Sequence, residues 1–256
     1  ARLALDAADL LARLQAQPPV DTVLIDLDGT LIPMDQAAFI RAYSEELARF
    51  LRARGWEDAR AAIDALMRSV FLMIQNDGGA TNRERFWAAF EAAQGARVRA
   101  LEAELDGFYG RGGGFDAVRR VLGPARDVRG LLALLRRGGR TVYLATNPIF
   151  PAVAVRTRLA WIGLTEADFA GVTTYENSRY CKPNPAYYRE ILRRLGAAPA
   201  RCLMIGNNPS DDMSALEAGL SGYLVTDYLE NERGLPVEPY RHGTFAELMA
   251  FAASLP

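Results

Sequence analysis

Short apolar runs bounded by turn residues recur along the chain and predict buried β-strands. Five runs show this pattern, at residues 22–26 (TVLID), 141–146 (TVYLAT), 172–175 (VTTY), 202–206 (CLMIG) and 222–226 (GYLVT). From the second run onward, strands alternate with stretches of helical periodicity at residues 152–160, 185–195 and 212–218. Such alternation is typical of a parallel sheet covered by helices. The pattern therefore predicts an α/β core.

The segment between the first two predicted strands breaks this rhythm, and its pattern is helical. Apolar residues recur at helical spacing over residues 39–50, 63–74 and 98–109. Thr81 and Glu84 have the spacing of a capping box and predict a further helix that begins after Thr81. Glycines at 110 and 112–114 mark the return to the core. We therefore expect a core domain of residues 1–33 and 115–256, and an inserted all-helical domain over residues 34–114.

Composition and charge favour a cytoplasmic protein with a small-molecule partner. Cys181 and Cys202 are too few for a disulfide framework. The 30 basic and 31 acidic residues alternate in sign, which is unlike a nucleic-acid-binding surface. No apolar run approaches the roughly 20 residues of a membrane-spanning helix, and residues 1–17 are typical of an amphipathic helix. We expect no nucleic-acid or membrane partner, and either a monomer or a homodimer.

Two aspartates follow the first predicted strand. Alternation along a strand places Asp26 and Asp28 on the same side, at the carboxyl end where open α/β sheets bind ligands. Two adjacent carboxylates repel each other unless a cation is near. An ordinary turn built from Asp and Gly is the alternative explanation for this DLDGT segment.

Asn-Pro pairs follow three other predicted strands, at residues 147–148, 184–185 and 208–209. This pair is a common start of a helix, and helix N-termini present free N–H groups that suit a phosphate. Lys182, the only lysine, lies just before one of these pairs. Because arginine fills every other basic position, we expect Lys182 to need a compact ammonium that a planar guanidinium does not replace.

Asp211 and Asp212 follow the 202–206 strand and add two more carboxylates to the same edge of the sheet. Together with Asp26 they would supply the hard oxygen ligands that Mg²⁺ prefers. Helix capping is the structural alternative for either residue alone. The pattern implies a divalent cation.

These segments, in this order, resemble the four motifs of the haloacid dehalogenase superfamily. The residues that carry the likeness are DLDGT at 26–30, Thr146-Asn147, Lys182-Pro183, and Gly206-Asn207 with Asp211-Asp212. The resemblance implies a three-layer, Rossmann-like parallel-sheet core, with the helical insert as the all-helical cap of the C1 group. It also implies a phosphatase, because in this superfamily an aspartate at the position of Asp28 fits phosphatases and phosphomutases.

The resemblance also implies a role for each motif residue. Asp26 would be the nucleophile that forms an aspartyl-phosphate, and Asp28 the general acid and base. Thr146, Asn147 and Lys182 would hold the phosphoryl group. Asp26, the main-chain carbonyl of Asp28, and Asp211 would bind Mg²⁺, with Asp212 as a further or alternative ligand.

Three points stay open at the level of sequence. The family commonly has aspartate where this chain has Asn207, which prompts a non-catalytic binding protein as one alternative. A sugar phosphomutase shares the same residues and is the other. In the insert, Asn76, Arg83 and Arg85 are candidates for substrate contact, and Arg83 is the one we predict to bind substrate.

Overall fold

A computed structural model describes residues 19–256 and places a five-stranded parallel sheet at the centre of the molecule. The strand order is β2-β1-β3-β4-β5. The strands are β1 (Thr22–Ile25), β2 (Thr141–Leu144), β3 (Cys202–Gly206), β4 (Ser221–Val225) and β5 (Arg241–Gly243). The α/β class is therefore confirmed. The amphipathic helix predicted for residues 1–17 lies outside the described residues.

Helices cover both faces of the sheet. The described helices are α1 (Gln36–Arg52), α2 (Ala59–Ile74), α3 (Asn82–Gln94), α4 (Arg99–Tyr109), α5 (Val128–Arg136), α6 (Ala152–Trp161), α7 (Pro185–Leu195) and α8 (Phe245–Ser254). None of these helices is long and apolar enough to cross a membrane.

Strand β1 shows why the core has three layers. Its side chains alternate between two apolar clusters, with Val23 and Ile25 in one cluster and Leu24 in the other. The first cluster includes residues of α5, α6 and α8, and the second includes residues of α7. All four residues of β1 are buried, as is typical of a strand in a sheet covered on both faces. This is the Rossmann-like arrangement expected from the sequence.

The segment between β1 and β2 is helical, as its periodicity predicts. Helices α1 to α4 follow one another from Gln36 to Tyr109, and α2 packs along α3. The capping box is present, with Thr81 accepting from the N–H of Glu84 and Glu84 accepting from the N–H of Thr81. The predicted helices of this segment are confirmed.

The strand predicted at 172–175 is wrong. Val172 forms only an isolated bridge to Leu144. The side chain of Asn177 explains why the ladder stops: its amide donates to the Val172 carbonyl at 2.9 Å and accepts from the Thr174 N–H at 2.9 Å. Strand β5, by contrast, carries no apolar run and was not predicted.

Only one of the three Asn-Pro pairs begins a helix. Asn184 is the N-cap of α7 and accepts from the N–H of Ala186 at 2.9 Å. After Asn147, the next helix begins at Ala152, because the Asn147 side chain accepts from the N–H of Lys182 instead. Asn208 caps a tight turn rather than a helix. The predictions that helices begin at Asn147 and Asn208 are therefore wrong.

Candidate active site

The carboxyl ends of β1, β2 and β3 open into one polar pocket. The predicted residues that line it are Asp26, Asp28, Thr146, Asn147, Lys182, Asp211 and Asp212. The parallel sheet brings them together because the three strands end at the same edge. Residues separated by more than 180 positions in the sequence thus share a single site. We call this space the carboxylate pocket.

Lys182 is buried at the centre of this pocket. Its Nζ lies 2.8 Å from Asp26 Oδ1 and 2.6 Å from Asp212 Oδ1, and only 2% of the residue is exposed. Burial opposes its positive charge, but Asp212 and Asp26 raise the pKa of Lys182 well above its usual value. The ammonium therefore stays charged beside the predicted nucleophile.

Asp26 keeps one carboxylate oxygen available. Oδ1 accepts from Lys182, whereas Oδ2 forms no hydrogen bond with the described residues. Burial raises the pKa of Asp26, and the neighbouring charges of Asp212 and Asp28 add to this effect, while Lys182 opposes it. An additional cation at the pocket would favour the ionised carboxylate that attack requires.

The carboxylate of Asp212 accepts hydrogen bonds from Lys182 and from the loop after β3. Its Oδ1 accepts from Lys182, and its Oδ2 accepts from the N–H groups of Asn207 and Asn208, each at 2.9 Å. The residue is 1% exposed. Three hydrogen bonds use most of the acceptor sites of this carboxylate, which favours Asp211 over Asp212 as the direct metal ligand.

Asp28 pairs with an arginine that sequence reasoning missed. Nη1 of Arg158, in α6, donates to Asp28 Oδ2, and Arg158 is fully buried. Asp28 Oδ1 and Arg158 Nη2 are also buried and have no partner among the described residues. Burial raises the pKa of Asp28, and Arg158 and Lys182 oppose that rise. No motif marks Arg158, which lies in an ordinary arginine-rich helix.

Thr146 and Asn147 form the β2 side of the pocket. The Thr146 carbonyl accepts from the hydroxyls of Thr173 and Tyr187, at 2.6 and 2.8 Å. Asn147 accepts from the Lys182 N–H at 3.2 Å and donates to Asp211 Oδ2 at 3.4 Å. These contacts fix the loop that follows β2 relative to Lys182 and Asp211.

Asn207 has a structural role that accounts for its amide. Its Nδ2 donates to the Tyr228 carbonyl at 2.7 Å, and its Oδ1 accepts from the Thr30 hydroxyl at 3.2 Å. An aspartate could not donate to that carbonyl unless it were protonated. Asn207 thus ties the β1 and β3 loops to the loop after β4, and this contact favours an amide over a carboxylate.

Glu230 is a second pocket residue that sequence reasoning missed. It follows β4 in a loop without a motif, and its N–H donates to the Asn207 carbonyl at 3.0 Å. Burial together with the charges of Asp211 and Asp212 raises the pKa of Glu230 to about 7. Burial and Asp212 likewise raise the pKa of Asp211 to about 6.

The pocket carries an excess of negative charge. Within the described chain, five carboxylates gather here against the ammonium of Lys182 and the guanidinium of Arg158. The carboxylates are those of Asp26, Asp28, Asp211, Asp212 and Glu230. A phosphate dianion would be repelled by this arrangement unless positive charge were added. The electrostatics therefore favour a bound cation.

The available donors fit a hard divalent cation. Residues 19–256 contain no group of three or more His, Cys, Asp and Glu side chains arranged to hold a metal. The expected site differs from such a group, because it uses two carboxylates, of Asp26 and Asp211, and the main-chain carbonyl of Asp28. All three are oxygen donors, and Mg²⁺ commonly keeps several waters as its remaining ligands.

The candidates in the helical segment do not line the carboxylate pocket. Arg83 pairs with Glu102 at 2.5 Å. Asn76 is buried and donates to Asn82 Oδ1 at 2.8 Å, and Asn82 in turn donates to the Pro148 carbonyl at 3.2 Å. Arg85 lies on the surface, 3.9 Å from Asp77. The prediction that Arg83 binds substrate is not supported by this position, because its guanidinium is already engaged by Glu102.

A parallel sheet with a carboxylate-lined pocket at its carboxyl edge is typical of open α/β proteins that bind ligands at the ends of their strands. The family model of the haloacid dehalogenase-like hydrolases matches residues 20–219. The chain belongs to this family.

Individual relatives agree with this assignment. Phosphoserine phosphatase from Thermus thermophilus is 28% identical over 245 residues, covering 85% of this chain and 91% of that protein. Pyrophosphatase PpaX from Bacillus velezensis is 32% identical over 85 residues, which is 33% of this chain and 38% of the relative's length. The chain thus spans well under half of PpaX.

Solved structures support the fold. The 2-haloacid dehalogenase from Pseudomonas syringae pv. Tomato superimposes with a TM-score of 0.55 at 20% identity, covering 91% of this chain and 99% of that one. At this identity the likeness concerns the fold and not the reaction.

Proposed function

We propose that this protein is a Mg²⁺-dependent phosphatase that hydrolyses the monoester of a small phosphorylated metabolite through an aspartyl-phosphate on Asp26. The observation that carries the proposal is the buried ammonium of Lys182, 2.8 Å from Asp26 Oδ1, with Asp28 two residues further along the same strand end. Phosphatase names among the relatives agree with this chemistry.

The first chemical step uses both aspartates. A carboxylate oxygen of Asp26 attacks phosphorus, the bond between phosphorus and the ester oxygen breaks, and Asp28 gives its proton to the departing alkoxide. In the second step Asp28 takes a proton from water, the water oxygen attacks phosphorus, and the bond to Asp26 breaks. Inorganic phosphate leaves and both carboxyl groups return to their starting states.

Fixed positive charge and donors would stabilise the transferring group. Lys182 would neutralise charge that builds up on the phosphoryl oxygens, and Thr146 and Asn147 line the same pocket. Asp26, the Asp28 carbonyl and Asp211 would hold Mg²⁺, which supplies the positive charge that this carboxylate-rich pocket lacks. Arg158 would hold Asp28 in place through its buried ion pair.

We further propose that residues 34–114 form a cap domain of the C1 type on a core of residues 1–33 and 115–256. Helices α1 to α4 fall within this segment, and Asn82 joins it to the loop after β2. A cap in this position would cover the carboxylate pocket and shield the reaction from water.

Release of inorganic phosphate from a panel of phosphomonoesters with Mg²⁺ tests this proposal. We expect turnover by the wild type and none by Asp26→Asn. Absence of phosphate release across a broad panel would refute a phosphatase, and an isomerised sugar phosphate without free phosphate would indicate a phosphomutase.

A further inference from the structure

A second cavity lies between helices α1 to α4 and the loop after β2. Its volume is about 110 Å³, and its wall is mainly aromatic and aliphatic. The aromatic wall includes Phe39, Tyr43, Phe86, Trp87, Tyr109 and Phe150. We call this space the aromatic cavity.

The aromatic cavity shares part of its wall with the carboxylate pocket. Gln36, Phe39, Ile149 and Phe150 line both spaces. Three of these four side chains are apolar. A phosphomonoester whose phosphoryl group meets Asp26 could therefore extend its organic group past Phe39 and Phe150 into the aromatic cavity.

The polar ends of the aromatic wall already bond to one another. The hydroxyls of Tyr43 and Tyr109 are 2.6 Å apart, and Trp87 Nε1 donates to the Tyr175 hydroxyl at 3.3 Å. These bonds use the only donor of Trp87 and one hydrogen bond of each tyrosine hydroxyl, which leaves these groups less available to a polar ligand. The wall is otherwise mainly apolar.

The charges around the aromatic cavity disfavour an ionic organic group. Among the described residues, none of its lining side chains is basic, so no cation is available for a carboxylate or a second phosphate. Its acidic members are Glu102, which is neutralised by Arg83, and Asp106, which is exposed to water. A cationic group would therefore gain little from either carboxylate.

We propose that the substrate is the phosphomonoester of an uncharged, apolar alcohol, aryl or alkyl, whose organic group binds in the aromatic cavity. This inference rests on the proposed phosphatase activity and names the substrate class for the same site. It sets this chain apart from phosphoserine and pyrophosphate, the compounds in its relatives' names, because both carry charged leaving groups.

A homologous series of primary alkyl phosphates tests the substrate class. Ethyl, propyl and butyl phosphate have leaving groups of nearly equal basicity, so differences report binding of the organic group. We expect kcat/KM to rise about threefold to fourfold for each methylene buried. 2-Phenylethyl phosphate should exceed glycerol phosphate, phosphoserine and choline phosphate, and pyrophosphate should be a poor substrate.

Two matched variants on α2 locate the binding surface. Met67 lines the aromatic cavity and is 38% exposed, whereas Leu72 lies on the same helix, is 52% exposed and does not line it. Met67→Gln should lower kcat/KM for 2-phenylethyl phosphate about fivefold and leave ethyl phosphate nearly unchanged. Leu72→Gln should behave as wild type with both esters.

Three results would overturn the inference: equal kcat/KM along the alkyl series, a preference for phosphoserine or choline phosphate, or the same loss in Leu72→Gln as in Met67→Gln. If no ester is hydrolysed, the phosphatase proposal fails.

The apolar site is then tested separately by measuring the binding of benzylphosphonate by calorimetry. Binding that is weakened by Met67→Gln but not by Leu72→Gln supports the apolar site, whereas no binding, or binding unchanged in Met67→Gln, refutes it.

Discussion

Lys182 is the only lysine among 30 basic residues, and its ammonium lies between the carboxylates of Asp26 and Asp212. With the residue 2% exposed, the surrounding side chains leave little room for a larger group. A guanidinium is planar and wider than an ammonium, so it could not take the same position between the two aspartates.

Lys182→Arg should lower kcat/KM at least about 100-fold although it keeps the positive charge. Lys182→Met, which removes the charge at similar length, should lose at least as much. Steady-state phosphate release measures both. Activity of the arginine variant within a few-fold of wild type would show that charge alone suffices at this position.

Sequence reasoning identified the residues of the pocket that lie in motifs and missed those that do not. Asp26, Asp28 and Asp211 follow recognisable strands, and Lys182 stands out as the only lysine, just before the Asn184-Pro185 helix start. Arg158 and Glu230 reach the pocket only because α6 and the loop after β4 fold against it, and neither local sequence signals this position. A buried charge partner depends on tertiary contact, which a single sequence does not show.

Asn207→Asp should destabilise the fold by about 1–3 kcal/mol, because a carboxylate would face the Tyr228 carbonyl in place of an amide donor. Thr30→Val removes only the longer bond to Asn207 Oδ1 and should cost about 1 kcal/mol or less. Urea unfolding followed by circular dichroism gives both values. If Asn207→Asp leaves the free energy of unfolding unchanged, the structural reason for asparagine is contradicted and the non-catalytic alternative is favoured.

At the scale of elements, helices α1 to α4, between β1 and β2, are predicted from the sequence more accurately than the strands. Apolar periodicity extends over several turns in α1, α2 and α4, and the capping box of Thr81 and Glu84 marks the start of α3. The 172–175 segment fails as a strand because Asn177 takes up backbone groups that a ladder would need. Strand β5 has only three residues, two of them exposed, so no apolar pattern marks it.

Capping boxes at α3 and α8 allow a test of helix stabilisation. Thr81→Ala and Thr244→Ala each remove a side chain that accepts from the backbone N–H three residues later, so each should cost about 1 kcal/mol of unfolding free energy. Phosphate release should be unchanged in Thr244→Ala, because α8 lies away from the pocket. Denaturant unfolding with no loss in either variant would contradict the assigned caps.

At the scale of the whole molecule, the fold concentrates negative charge at one edge of its sheet. Five carboxylates meet there because three parallel strands and the loop after β4 end together. Such an arrangement is costly without a counter-charge. Binding of a cation should therefore stabilise the whole fold.

Mg²⁺ at about 100 times its Kd should raise the Tm of the wild type by about 5 °C, since preferential binding to the native state stabilises it. The increase should be much smaller in Asp211→Asn, which loses a donor. Asp64→Asn removes a charge from the exposed surface of α2 and should keep the full increase. A wild-type Tm that does not respond to Mg²⁺ would argue against the proposed donors.

The central claim, a covalent aspartyl-phosphate on Asp26, is tested most directly by rapid acid quench during turnover of a phosphomonoester, followed by peptide mass spectrometry. We predict one phosphoryl group on the peptide that contains Asp26, present in the wild type and absent from Asp26→Asn. Turnover without this adduct, or an adduct on another residue, would contradict the account.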